Sequence, residues 1–166
     1  LPLIDAPPPG PFQQAQATLQ QLGAVDSSGT VTNFGRRLAS IPCDPRLGRA
    51  LLLTGTRRAA GIVACLADDP RGDIARLTPN KAEAQRLHSL VTSSGSHDDS
   101  PGVVTGLAYS EFIAKRVGEN EFLLASGTRA VTRDNTFAGA EWLAVASLSS
   151  AGERVYIHAA AHLSED

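Results

Sequence analysis

The chain of 166 residues has no methionine, only two cysteines, and aromatic residues at just 5%. Each shortage excludes something. The want of any methionine, an initiator included, leads to the reading of a piece of a longer protein. Cys43 and Cys65 stand apart with no C-x-x-C pair, so neither a disulfide framework nor a four-ligand zinc site is expected, and both are read as buried, reduced thiols. No apolar run approaches the roughly 18 residues that a membrane span needs, so no membrane partner is expected. Residues 1–10 are proline-rich and lack a charged start followed by an apolar stretch, so no signal peptide is expected and a cytoplasmic location is.

Chemistry is missing too. No G-x-x-x-x-G-K-[ST] loop is present to cradle phosphates, and no DExH sequence to hold magnesium. The chain alone is therefore expected to bind no cofactor and to hydrolyse no ATP. His88, His97, His158 and His162 are scattered, none in an H-E-x-x-H pattern. His97-Asp98-Asp99 lies in a polar stretch and reads as a solvated loop before a metal clip. His158 reads as an outward strand residue. We expect no catalytic residue and no metal ligand.

What is present is a core-forming share of apolar residues, 42%, and a net charge of −2. That charge sets up no general field toward nucleic acid. Its distribution is uneven, because residues 36–58 hold six arginines and one acid, a local +5. Arg36, Arg37, Arg46, Arg49, Arg57 and Arg58, with Arg129 and Arg133 further on, are the candidate nucleic-acid contacts, since a guanidinium suits bidentate phosphate binding. Docking on a neighbouring domain and plain surface exposure stay open as readings of the same cluster.

Periodicity divides the chain. Phe12–Leu22 reads as a helix ended by Gly23, residues 24–32 as a small hairpin turning at Asp26–Gly29, and Asn33 as the cap of a helix that Pro42 stops. Helix, two-stranded wing and helix in that order suggest a winged-helix unit over 1–43. Asp44-Pro45 opens a helix with Leu47, Ala50 and Leu51 inward, Arg57–Ala67 forms another around Ile62, Cys65 and Leu66, and Thr78-Pro79 opens one to about Val91. Residues 44–91 are thus a helical segment. The run T-S-S-G-S-H-D-D-S-P-G at 92–102 reads as a linker. Beyond it, 103–166 reads as a short helix over Val103–Lys115 followed by β-strands. There Val155, Ile157, Ala159 and Ala161 alternate with Arg154, Tyr156, His158 and Ala160. Trp142, within an apolar run, reads as core first and as a base-stacking ring second. The fold class is α+β: winged helix, small helical bundle, then an OB-like β-barrel.

The ordered run Leu22-Gly23-Ala24-Val25-Asp26, Gly29-Thr30-Val31-Thr32, Gly35-Arg36-Arg37-Leu38-Ala39, Ile41-Pro42 and Asp44-Pro45-Arg46-Leu47 resembles the helicase-associated region of DEAH-box helicases. Leu3-Ile4-Asp5-Ala6-Pro7-Pro8 resembles the junction leading out of the second RecA-like domain. Gly106-Leu107-Ala108-Tyr109-Ser110, Phe122-Leu123-Leu124-Ala125 and Gly139-Ala140-Glu141-Trp142-Leu143 resemble the bacterial HrpB branch. The resemblance implies a winged helix, ratchet-like helices and an OB-like barrel that help enclose single-stranded RNA against two RecA-like domains. Those domains, outside this chain, would hold ATP and Mg2+. The segment from Leu52 to Val91 is short for a ratchet bundle. A free-standing winged-helix DNA-binding regulator is the competing reading, although Asn33–Ser40 is short for a recognition helix.

Overall fold

The computed structural model describes residues 9–91 and 95–164, which divide into two compact units, 1–45 and 46–166. The proposed RecA junction at Leu3–Pro8 lies outside the described residues. In the first unit, α1 (Pro9–Gln21) ends where Gly23 takes a φ of +76°, the left-handed turn that glycine makes without strain. The expected wing is closed by a single antiparallel bridge, Val25 to Val31. Asp26 organises its turn: one carboxylate oxygen accepts from the Ser28 amide at 2.9 Å, the Ser28 hydroxyl at 2.6 Å and the Thr30 amide at 3.0 Å.

Helix α2 (Asn33–Ala39) is capped one residue earlier than expected, by Thr32 in place of Asn33. Thr32 has the extended backbone a cap requires; its hydroxyl accepts from the Gly35 amide at 2.9 Å and donates to the Gly23 carbonyl at 2.6 Å. A methyl on Gly35 would lie 2.0 Å from the Ala24 carbonyl oxygen, so only glycine lets α2 seat on the wing.

The second unit opens with α3 (Pro45–Thr54), which buries Leu47, Ala50 and Leu51 as its periodicity demands. Helix α4 (Arg57–Ala67), capped by Thr56, is buried without a break from Ala59 to Leu66. Helix α5 (Lys81–Ser89) starts later than Thr78-Pro79 suggested, because Asn80 supplies the cap by accepting from the Glu83 amide at 3.1 Å.

The stretch read as a linker has structure of its own. Its described residues run back along α3, with the Gly95 amide donating to the Thr54 carbonyl at 3.0 Å and the His97 amide to that of Leu53 at 3.2 Å. Asp99 accepts from the Thr56 hydroxyl at 2.7 Å. Helix α6 follows at Pro101–Ala108, shorter than the expected helix to Lys115. It stops because residues from Ile113 onward join the sheet.

The strands are β1 (Gly72–Asp73), β2 (Ile113–Arg116), β3 (Glu121–Leu124), β4 (Arg129–Val131), β5 (Trp142–Ala151) and β6 (Arg154–Leu163). Five of them close a barrel in the order β6-β4-β3-β2-β5 and back to β6, with β4 and β6 parallel, while β1 pairs in parallel with β6 at Ala159 and Ala160, further along the edge that β4 meets at Tyr156. This is the OB-like architecture expected. Its core is Phe122, Leu124, Leu143, Val145, Ile157 and their alanine neighbours. Arg116 plugs one end, its guanidinium 4.6 Å from the Phe122 ring and hydrogen-bonded to the carbonyls of Ala140, Phe137 and Glu119.

The simple alternation of β6 does not hold along its whole length. Val155 and Ile157 face the barrel core, but Ala160 follows them there, not Ala159. Register shifts between Val145 and Leu148 of β5 against Ala160 and Ile157 of β6 move the alternation by one residue. Ala161, opposite Ala144, then turns outward beneath α6, whose Gly106 lies over Ala144, so both sets are buried.

Candidate nucleic-acid interface

The arginines singled out in the sequence fall in both units. Arg36 and Arg37 belong to the first unit, where Arg36 donates to Asn33 Oδ1 at 3.0 Å. The other six lie in the second. Arg46 forms an ion pair with Glu111, and Arg49 donates to the Leu107 carbonyl, so the two tie α3 to the turn after α6 and to α6 itself. Arg58 sits 3.5 Å from Asp99, and Arg57 is exposed at the start of α4. Arg129 lies 3.2 Å from Glu121 on the barrel. Arg133 stacks on Tyr156, 3.9 Å from the ring centroid.

The barrel assembles a set of side chains that no single segment displayed. Strand pairing puts Trp142 opposite Lys115, Lys115 opposite Leu123 and Leu123 opposite Arg129. Their neighbours Ala114, Phe122, Leu124, Ala130 and Leu143 point into the core, so by the two-residue alternation this row points out. Glu121, Val131 and Tyr156 pair in the next row across β3, β4 and β6. The barrel's outside thus carries an aromatic ring near each edge, with Lys115, Arg129 and Arg133 as cations. Between them Leu123 is 38% exposed, and Val117 at the end of β2 is 45% exposed.

Trp142 is half-buried and stands outside the barrel core, with the Lys115 ammonium 5.3 Å from its ring. The default reading of Trp142 as a core residue is corrected by this position. Lys115 and Leu123 were not singled out at all. Reading Val103–Lys115 as one helix hid the alternation of β2, which is the signal that would have found them.

Beside Tyr156 the face runs into a cavity of about 240 Å³ lined by Arg71, Thr132, Arg133, Ser149 and His158. Asp134, also on its wall, accepts from the Thr136 amide, and hydrogen bonding from Thr136 holds its carboxyl below the ordinary range. The histidine read as outward, His158, is half-buried there. His97 lies next to Ser96, and among the described residues no group of three His, Cys, Asp or Glu side chains is placed to hold a metal. Cations, stacking rings and exposed aliphatics on a β-face are what a single-stranded nucleic acid requires: charge for its backbone, flat surfaces for its bases.

Residues 15–43 match the winged-helix model of the helicase-associated domain, HA2. The chain is 28% identical over 117 residues to the ATP-dependent RNA helicase DHX30 of Gallus gallus, which covers 68% of this chain and 9% of that protein. Two crystal structures of Escherichia coli HrpB, one described as a DExH-box NTPase and one as a DEAH/RHA helicase, superpose with TM-scores of 0.75 and 0.80 at 24% identity. They cover 96% and 97% of this chain but only 22% and 23% of HrpB. The chain therefore carries the winged helix of the helicase-associated domain and takes the fold of a region that makes up about a quarter of HrpB.

Proposed function

We propose that this chain is the accessory, RNA-gripping region of an ATP-dependent RNA helicase. Its partners are single-stranded RNA and the RecA-like motor domains of the same parent protein. ATP and Mg2+ belong to that motor, since these 166 residues hold no phosphate loop, and this region performs no catalysis of its own. Among the described residues no helix is long and apolar enough to cross a membrane, and we place the parent in the cytoplasm. The competing regulator reading loses ground because the similar proteins are helicases and because the wing is a single bridge beside a seven-residue helix.

The observation that carries the proposal is the row Trp142, Lys115, Leu123 and Arg129 across four strands, with Tyr156 and Arg133 beside it. Of the eight candidate arginines, Arg129 and Arg133 fit this face. Arg46 and Arg49 fit a structural role, given their partners. Because Trp142 is the chain's one tryptophan, its fluorescence reports the face directly. Titration with an oligouridylate should quench it in step with the rise in anisotropy of a label on the RNA. Binding that leaves Trp142 emission unchanged would move the RNA elsewhere.

A further inference from the structure

A groove of about 730 Å³ on the second unit, between α4, the 3-10 turn Ile74–Arg76 and α5, plays no part in the reading above. Its floor is aliphatic: Ile62 from α4, then Ile74, Leu77 and Pro79. Gly61 brings α4 up to Pro79 there, since a methyl on it would touch the Pro79 ring at 3.4 Å. Cys65 also lines it, and burial pushes its thiol above the ordinary range, so it acts there as an apolar surface. Around the rim stand Arg57, Lys81 and His88. Arg57 and Lys81 are exposed and have no ion-pair partner among the described residues.

The composition of the groove selects its occupant. Among the described residues that line it there is no carboxylate, so the rim is complementary to negative charge. No Phe, Tyr or Trp lines it either, and the single aromatic ring is the His88 imidazole at the rim, whereas single-stranded RNA stacks successive bases on a platform of rings. Branched aliphatic walls suit aliphatic side chains. The span from Arg57 to Cys65 along α4 is about 12 Å at 1.5 Å per residue, or about two helical turns. A helix laid in a groove anchors itself with apolar side chains three and four apart.

We propose that this groove docks a short amphipathic helix of a partner protein. Its apolar stripe lies on Ile62, Ile74 and Leu77, and its flanking carboxylates meet Arg57 and Lys81.

The test uses the isotopically labelled chain and a designed probe, a peptide of about three helical turns with leucines along one face and glutamates elsewhere. A second peptide of the same composition, with the leucines dispersed, serves as its control. The first peptide should shift the amides of α4, Ile74–Leu77 and α5, and the dispersed one should not. The double variant Arg57→Glu with Lys81→Glu should weaken binding at least tenfold while leaving the thermal melt in place, as both residues are exposed. Groove shifts that are equal for the two peptides, or a double variant that binds as well as the parent chain, would overturn the proposal. So would groove shifts produced by an oligouridylate, which assign the groove to RNA, or by raising the chain's own concentration, which assign it to a second copy.

Discussion

At the scale of single residues, the first unit depends on three that carry no chemistry. Gly35 gives α2 room against Ala24, and Thr32 caps that helix while holding the Gly23 carbonyl. Replacing Gly35 by alanine drives a methyl into backbone, which cannot yield as a side-chain end can. A loss of about 3 kcal/mol is expected, at the upper end of overpacking costs, read from denaturant unfolding. Thr32→Ala should cost about 1 kcal/mol, the usual value of a lost cap. Asp26 adds a dependence on pH. Its carboxyl is held below its ordinary value of 3.8, first by the Ser28 hydroxyl and then by the Thr30 backbone. A depressed carboxyl stabilises the fold fully above the unfolded value, and that contribution fades as pH falls through the lowered one. Melts between pH 6 and 2 should show the wing of Asp26→Asn losing less with acid than that of the parent chain. Much of this was legible in the sequence: the turn at Asp26–Gly29 and the stop at Gly23 follow from residue type alone. The cap was assigned to Asn33 because both residue types cap helices, and only backbone geometry separates them.

At the scale of elements, what the sequence revealed depended on whether a local rule or a distant partner decides the outcome. Helices α3 and α4 fall where caps and periodicity put them, because both signals lie within the segment. Strand β2 did not, since Ile113 and Ala114 continue an apolar run and only pairing with β3 and β5 makes them a strand. The alternation of β6 was right up to Ile157 and then shifted by a register change that belongs to the β5–β6 pair. The partners of the arginine cluster were hidden for the same reason. Arg46 and Arg49 read as a basic helix face until α6 and the turn after it bring the Leu107 carbonyl and Glu111 to meet them. Their role in holding elements together can be measured. A double-mutant cycle on Arg46→Ala and Glu111→Ala should give a coupling of about 0.5–1 kcal/mol, as expected for a half-exposed pair. A coupling of zero would return Arg46 to the surface and to RNA.

At the scale of the whole molecule, charge decides how RNA binding should behave. The second unit, 46–166, holds thirteen basic and fourteen acidic residues, so its net charge of −1 gives no long-range attraction. Affinity must come from the few cations on the barrel face, helped by stacking on Trp142 and Tyr156. If Lys115, Arg129 and Arg133 each neutralise one phosphate, the slope of log affinity against log salt is about −2, at about −0.7 per contact for a single strand. Replacing all three by alanine should bring that slope close to zero. Arg36→Ala with Arg37→Ala, changes confined to the first unit, should leave it at about −2. Residues 46–166 alone should behave as the whole chain does, because every residue of the proposed face lies within that unit. A thermal melt of the fragment establishes that it is folded before binding is compared. A folded fragment whose slope falls to half that of the chain would place phosphate contacts on the winged helix and divide the grip between the two units.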